Sequence, residues 1–465
     1  MSKYIAIYEY SIRTMLDLFI KTLKIAAISV SIVTCIFLDS TSTAFAKKIS
    51  LIRDAEIENT IRLLALPVFK AAKLDSTSIK IHLIKDKSMN AFVAGGQRLF
   101  IHTGLITNAT EASQIIGVIA HESGHITGGH LARFNKAIEK SSMMQALSMI
   151  LGATAIVAGK GELGQIVVAA GGNIAQKHFF QYSQNQESAA DQAALKFLDD
   201  SGQSASGLLS FLKLLGEQES IIWDYQDIYA RTHPLTRDRI ATISNHIAKS
   251  PNTKNKVSNI LEKKFQRARA KLIGFVNPVK QVLRQYKNND NSIESRYARA
   301  ISFYRESNMV KALPLIDSLI TENPHDPYFW ELKGQMIFEH GDAKGALRPY
   351  ENAVNLLPKN ALLKRDLARV QLALNDQTFL DDIIINLKAA IAVNRESPFT
   401  WRQLAIAYGR KGNKGHSSLA LAEEALLIGR KEVARYHGGL AEKIFPMGSR
   451  EWLQAQDILS AARVK

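Results

Sequence analysis

Cysteine is almost missing from this chain: among 465 residues there is one, Cys35. It lies inside an apolar run at the N-terminus. Without it the remainder has no thiol, so no disulfide can staple the fold, and thiolate metal sites are excluded. Any zinc must then be held by histidine and carboxylate. Acidic residues are also outnumbered, 43 against 59 lysines and arginines, for a formal net charge of +16. A basic surface suits an anionic membrane surface or an acidic partner. No nucleic-acid-binding motif accompanies it, so a nucleic-acid partner is not expected. Long apolar runs are absent too. The longest, Ile25–Leu38 and Met143–Ala158, fall short of the roughly 20 residues of a membrane span.

The first run carries an export signature. Lys21 and Lys24 precede Ile25–Leu38, and the small-x-small segment Thr43–Ala46 follows it. Residues 1–46 read as a signal peptide cut after Ala46, which marks the mature chain for export. An uncleaved anchor is the alternative, and Met15 is a second candidate start. Thr34 before Cys35 argues against a lipoprotein.

The length predicts two or three domains. Residues 47–250 read as one domain. Within it 51–75 have helical periodicity, while Ser78–Ile84 and Arg98–Ile106 read as strands of a small antiparallel sheet flanking "NAFVAGGQ" (Asn90–Gln97). Two Gly/Ala-rich stretches, Met143–Ala158 and Leu163–Ala175, read as a buried helical hairpin. The rival is a flap that covers substrate or makes peripheral membrane contact. Residues 251–290 are strongly basic and read as a helical linker with nearly all of its charges in solvent.

Residues 291–465 repeat. Trp330, Gly334, Ile337, Gly341, Ala346, Tyr350, Ala353 and Pro358 stand at tetratricopeptide offsets, and Pro324 to Pro358 spans the motif's period of 34. Trp401, Leu404, Ala405, Tyr408 and Gly412 restart the pattern. The spacing of the two tryptophans puts about three extra residues in the intervening repeat, near Asn375–Asp382. Stacked helix pairs follow, with small residues at the close approaches and Trp330 and Trp401 in the core. The expected fold is mainly α: an α+β zincin-like domain, with an HExxH helix and a small sheet, followed by an all-α tetratricopeptide solenoid.

The chemistry concentrates in "HESGHITGGH", His121–His130. Residues i and i+4 of a helix share a face, so His121 and His125 can reach one ion. Glu122 is turned about 100° away and is placed to act as a base rather than a ligand. A third ligand is required. A continued helix points His130 away from the pair, so it is not assigned. Glu187 and Asp191 in "NQESAADQAALKFL" again share a face at i and i+4. Glu187 can complete a His2Glu site, and Asp191 can orient a ligand histidine; a surface carboxylate is the alternative for Glu187.

"HESGH", then "ESAAD", then "RTHPLTRDRI" (Arg231–Ile240) resemble the HtpX and CAAX-protease-like zinc metallopeptidases, and with the export signal and repeats the chain is similar to their periplasmic repeat-bearing members. Ala189 departs from an acidic residue frequent in that helix. The resemblance implies one Zn2+ per chain held by His121, His125 and Glu187, with Glu122 as catalytic base. His233 is implied either as a regulatory fourth ligand or as a stabiliser of the tetrahedral intermediate. "NAFVAGG" resembles the segment beside the family's cleft, which points to Asn90, Ala91 and Phe92 as substrate-binding. The implied activity is endopeptidase cleavage of misassembled outer-membrane β-barrel proteins, with the repeats docking client or barrel-assembly complex and with chaperone activity besides. Two alternatives stay open. One is an adaptor or chaperone with a silent zinc site; the other is a membrane-embedded protease in which 143–175 span.

Overall fold

The computed structural model describes residues 50–95, 97–130, 184–221, 233 and 236–463. The signal-peptide reading of 1–46 and the hairpin, flap or span readings of 143–175 lie outside these residues. Among the described residues no helix is long and apolar enough to cross a membrane.

Strand β1 (Leu51–Ile52) precedes helix α1 (Ala55–Ala71). The helix starts where it does because the Asp54 carboxylate accepts from the Glu56 and Ile57 amides. Ile57, Ile61, Leu64, Val68 and Phe69 then recur at helical spacing and are all buried. Strands β2 (Lys80–Ile84), β3 (Ala91–Ala94) and β4 (Arg98–His102) follow, and the sheet runs β1-β2-β4-β3.

That sheet is mixed, not antiparallel as expected: β1/β2 and β3/β4 are antiparallel, but β2 and β4 run parallel. The chain leaves β2, lays β3 on the far edge, and returns between them. Nor does β4 continue to Ile106. Thr103 Oγ1 and the Gly104 amide both donate to the Asp86 carbonyl. Gly104 lies so close to Lys87 that a Cβ there would sit 2.0 Å from its carbonyl oxygen. Held in this way, Thr103–Asn108 form helix α2.

Helix α3 (Ala112–Gly128) carries the histidines across the core. It packs on α4 (residues 184–200) and α5 (Ser206–Ile221), with α6 (Arg237–Lys249) beyond. Two glycines one heptad apart allow this. A Cβ on Gly117 would meet the Leu208 backbone of α5 at 2.6 Å, and one on Gly124 would meet the Ala190 carbonyl of α4 at 2.7 Å. Each glycine costs helix propensity of about 1 kcal/mol and returns a close helix approach.

Helix α7 (Asn259–Val276) corrects the linker reading. Phe265, Ala268 and Leu272 belong to the same core as α1 and α3. Its charges are not all in solvent. Lys271 is 2 % exposed, with Nζ 2.8 Å from Asp54, 3.5 Å from Glu56 and 3.6 Å from Glu331. Arg267 pairs with Glu56 and Asp326, and Tyr297 donates to Glu56 at 2.8 Å. Burial disfavours the Lys271 ammonium, but the surrounding carboxylates outweigh it and hold its pKa well above the usual lysine range.

After α8 (Val279–Gln285), five helical hairpins stack as an α-solenoid: α9/α10 (Ile293–Arg305, Met309–Glu322), α11/α12 (Pro327–Glu339, Ala343–Leu356), α13/α14 (Ala361–Leu374, Leu380–Val393), α15/α16 (Pro398–Arg410, Lys414–Leu427) and α17/α18 (Lys431–Ile444, Arg450–Arg463). Asn308, Asp342 and Asn413 cap the second helices of three hairpins, each through the amide three residues on. Trp330 and Trp401 make the same bond two units apart, Nε1 to the carbonyl six residues before, at 2.9 and 2.8 Å. The Tyr350 ring covers Gly334, 2.7 Å from where a Cβ would stand. The extra residues lie where the repeat spacing put them. A 3-10 turn (Gln377–Phe379) lengthens the α13–α14 connection, and α13 is one residue longer than α11. At the sheet end of the solenoid, Glu396, between α14 and α15, meets Arg98 of β4 at 3.0 Å.

Tyr297 belongs to α9 and Asp326 and Glu331 to the start of α11, so the buried charges tie the first hairpins to α1 and α7. Lys271→Met would leave three carboxylates facing one another without their ammonium. The expected loss is about 3–5 kcal/mol, read as a lower thermal midpoint together with earlier loss of zinc on heating. An unchanged midpoint would mean that the cluster does not hold the two regions together.

Candidate metal centre

Helix α3 is well seated before it reaches the site. Gln114 Oε1 accepts the Thr110 amide at 2.7 Å near its start, and Ile115, Ile116 and Ile119 anchor its apolar side. His121 and His125 then emerge on one face and Glu122 on another, all buried. Because Gly124 brings α4 close, Glu187 and Asp191 face the same point. His233 enters from the segment before α6, whose N-cap is Thr236.

The donors converge. His121 Nε2 and His125 Nε2 are 3.1 Å apart, and Glu187 lies 3.2 Å from the first and 3.3 Å from the second. His233 Nδ1 is 3.1 Å from Glu187 and 3.3 Å from His121 Nε2. Among the described residues these four form the one group able to hold a metal, with all donor atoms within 4.8 Å of one another. Donors about 2.0–2.1 Å from a tetrahedral zinc stand roughly 3.3 Å from each other; the contacts of 3.1–3.3 Å match that spacing, while the Glu187 contacts use both its oxygens and the group spreads to 4.8 Å. The chemistry fits as well: imidazole nitrogens facing each other at this distance repel unless a cation or proton lies between them. Zinc is the metal this donor set suits.

Glu122 is outside the set. Its Oε1 lies 3.6 Å from His233 Nε2, and among the described residues neither carboxylate oxygen has a hydrogen-bond partner of normal geometry. Burial pushes its pKa up, against the pull of His233 and His121. Asp191 backs the site, with Oδ1 2.8 Å from His121 Nδ1. Arg239 was not singled out by spacing, yet it donates to both Asp191 oxygens at 2.6 and 2.9 Å and reaches Glu187 at 3.1 Å. A pair of buried carboxylates needs a cation nearby, and Arg239 stands six residues after His233 in the quoted motif. That was the available signal.

These partners set the protonation pattern. Burial alone would depress His121, but its bonds to Asp191 and Glu187 prevail and lift it to about 10. Burial dominates at His125 and lowers it to about 3. For the carboxylates burial works upward and loses. The surrounding histidines hold Glu187 well below the usual range, and His121 and Arg239 bring Asp191 to about 2.

His130 is not where a continued helix would put it. Helix α3 stops at Gly128, Gly129 takes a left-handed conformation (φ 61°), and the chain folds back. His130 is consequently buried, its Nδ1 3.0 Å from His125 Nδ1. At the sheet, Ala91 and Phe92 start edge strand β3 beside α3. Phe92 stacks on Phe100 with ring centroids 5.0 Å apart. Asn90 is buried, and among the described residues neither polar atom of its amide has a partner.

Comparison with known proteins gives a consistent result. Residues 52–247 match Peptidase family M48. The chain is 23% identical over 412 residues to the Beta-barrel assembly-enhancing protease of Escherichia coli (strain K12), covering 83% of this chain and 82% of that one. The protein of the same name from Yersinia pestis is 21% identical over 389 residues, 82% and 78% of the two chains. The Metalloprotease LoiP of Escherichia coli (strain K12) is 30% identical over 168 residues, 35% of this chain and 62% of that one.

The protonation pattern makes metal binding pH-dependent in a defined direction. Zinc must displace a proton from His121, whereas His125 and Glu187 are already unprotonated at neutral pH. Binding near pH 8 should release about one proton from His121, and affinity should rise with pH until that group's own value of about 10 is reached. Calorimetry in buffers of different ionisation enthalpy measures this. Absence of release from this residue would contradict the arrangement.

Proposed function

The chain carries a peptidase family M48 domain and is a zinc metalloprotease, and from that premise we propose that it is an exported, periplasmic endopeptidase acting on misassembled outer-membrane β-barrel proteins. The observation that carries the proposal is the convergence of His121, His125, Glu187 and His233 beside the buried carboxylate of Glu122. The client class rests on the relatives named for β-barrel assembly.

His121, His125 and Glu187 are assigned as the zinc ligands and Asp191 as the group that orients His121. When bound, zinc supplies a Lewis acid that activates water and polarises the scissile carbonyl. Glu122 takes the proton from the attacking water and returns it to the leaving amine; a carboxylate made more basic by burial suits both transfers. His233 supplies a fourth donor. If His233 held the metal together with the other three there would be no open position for water, and it would have to withdraw before hydrolysis. Once displaced, it is available to stabilise the tetrahedral intermediate.

Substrate is expected along β3. The His102 amide donates to the Asn90 carbonyl, which assigns Asn90, Phe92 and Ala94 to the pairs bonded to β4. The backbone groups of Ala91 and Val93 therefore face the free edge, towards α3. An extended client segment can pair there as a fifth strand. The buried amide of Asn90 is then a candidate partner for the incoming chain. The solenoid is assigned the tetratricopeptide docking role, for client or for the barrel-assembly complex, and a holding activity follows if it binds unfolded barrels. The Arg98–Glu396 contact supports this by bringing the solenoid to the edge-strand end of the sheet.

The test pairs Glu122→Gln with the parent enzyme, using zinc stoichiometry, casein and a misfolded outer-membrane barrel. The variant should keep one zinc per chain and bind the barrel while hydrolysis falls roughly 10²–10⁴-fold. Retained hydrolysis in Glu122→Gln would remove Glu122 from its role. Cleavage of casein with no cleavage of barrel would redirect the client assignment.

A further inference from the structure

Two adjacent glycines end α3, and both serve the residue that follows them. Gly129 supplies the left-handed turn. Gly128 supplies space, since a Cβ there would lie 2.4 Å from Nε2 of the His130 ring. Together they fold His130 back beneath His125, with ring centroids 4.9 Å apart and planes at 81°, so that the two Nδ1 atoms meet at 3.0 Å. His130 is 6 % exposed although it lies beyond the helix end.

We propose that His130 is a positioning residue for the metal ligand His125, the counterpart of Asp191 for His121. The proposal rests on His125 binding zinc through Nε2, the nitrogen that faces the other donors. That leaves the proton of His125 on Nδ1, which donates to His130 Nδ1. His130 is consequently the neutral acceptor, with its own proton on Nε2. The two ligand imidazoles are thus fixed by different chemistry. Asp191 brings a negative charge that raises the basicity of His121. His130 fixes the tautomer and ring plane of His125 without adding charge to a site that already buries Glu122, Glu187 and Asp191.

The proposal separates an acceptor from mere bulk. His130→Leu fills similar space with no acceptor, while His130→Asn keeps a carbonyl acceptor. Zinc affinity, by competition with a chromophoric chelator, should fall about 10–100-fold in His130→Leu and recover most of that in His130→Asn. Gly128→Ala, which crowds the same ring, should behave as His130→Leu. The intact zinc-loaded protein gives an independent reading by imidazole-selective ¹H–¹⁵N NMR: His125 protonated at Nδ1 and His130 at Nε2. Equal affinities for the Leu variant and the parent, or the opposite tautomers in the intact protein, would overturn the proposal, and the NMR result decides if neither variant folds. A parent that binds no zinc would instead sink the metal-centre reading itself.

Discussion

The site depends on one electrostatic arrangement, the burial of Glu187 and Asp191 one turn apart on a single helix. Two carboxylates cannot be taken out of water together without compensation. Arg239 provides it, bonded to both Asp191 oxygens and within reach of Glu187. With that charge in place Asp191 can fix His121, and Glu187 can present an ionised oxygen to the metal. Remove the guanidinium and Asp191 would lose the partner that, with His121, keeps it ionised, while Glu187 is held ionised by the surrounding histidines. The helix carrying Arg239 is therefore as much a part of the centre as the helix carrying the histidines.

Proximity is the second requirement, and it comes from the smallest residues. Gly117 and Gly124 set how near α5 and α4 come to α3, and Ala190 is the surface that Gly124 meets. Larger side chains there would move Glu187 away by more than the tolerance of a coordination bond. The same device recurs in the solenoid, where Gly334 receives Tyr350. In one place close approach builds a reactive centre, and in the other it builds only a stack.

Much of this was readable from the chain. The i, i+4 spacings of His121/His125 and Glu187/Asp191 are properties of a single helix, and the repeat period located the lengthened turn before α14. What failed was non-local. The parallel pairing of β2 and β4 depends on where β3 is laid, which no strand pattern records. The charges of α7 looked solvated because Asp54 and Glu56, their partners, lie some two hundred residues upstream. His130 was misplaced for a local reason, since Gly128–Gly129 is a helix stop signal and the helix was assumed to run on. Arg239 stands six residues beyond His233 in the same motif, and its carboxylate partners lie on another helix, which local spacing does not record.

The centre is also scattered along the chain: Asp191 meets its histidine across 70 residues, and His233 does so across 112. A chain delivered from its N-terminal end presents the two α3 imidazoles first, the α4 carboxylates next, and His233 with Arg239 last. No partly delivered chain contains the balanced set. The complete donor set therefore forms late and all at once, only after the domain has closed on itself.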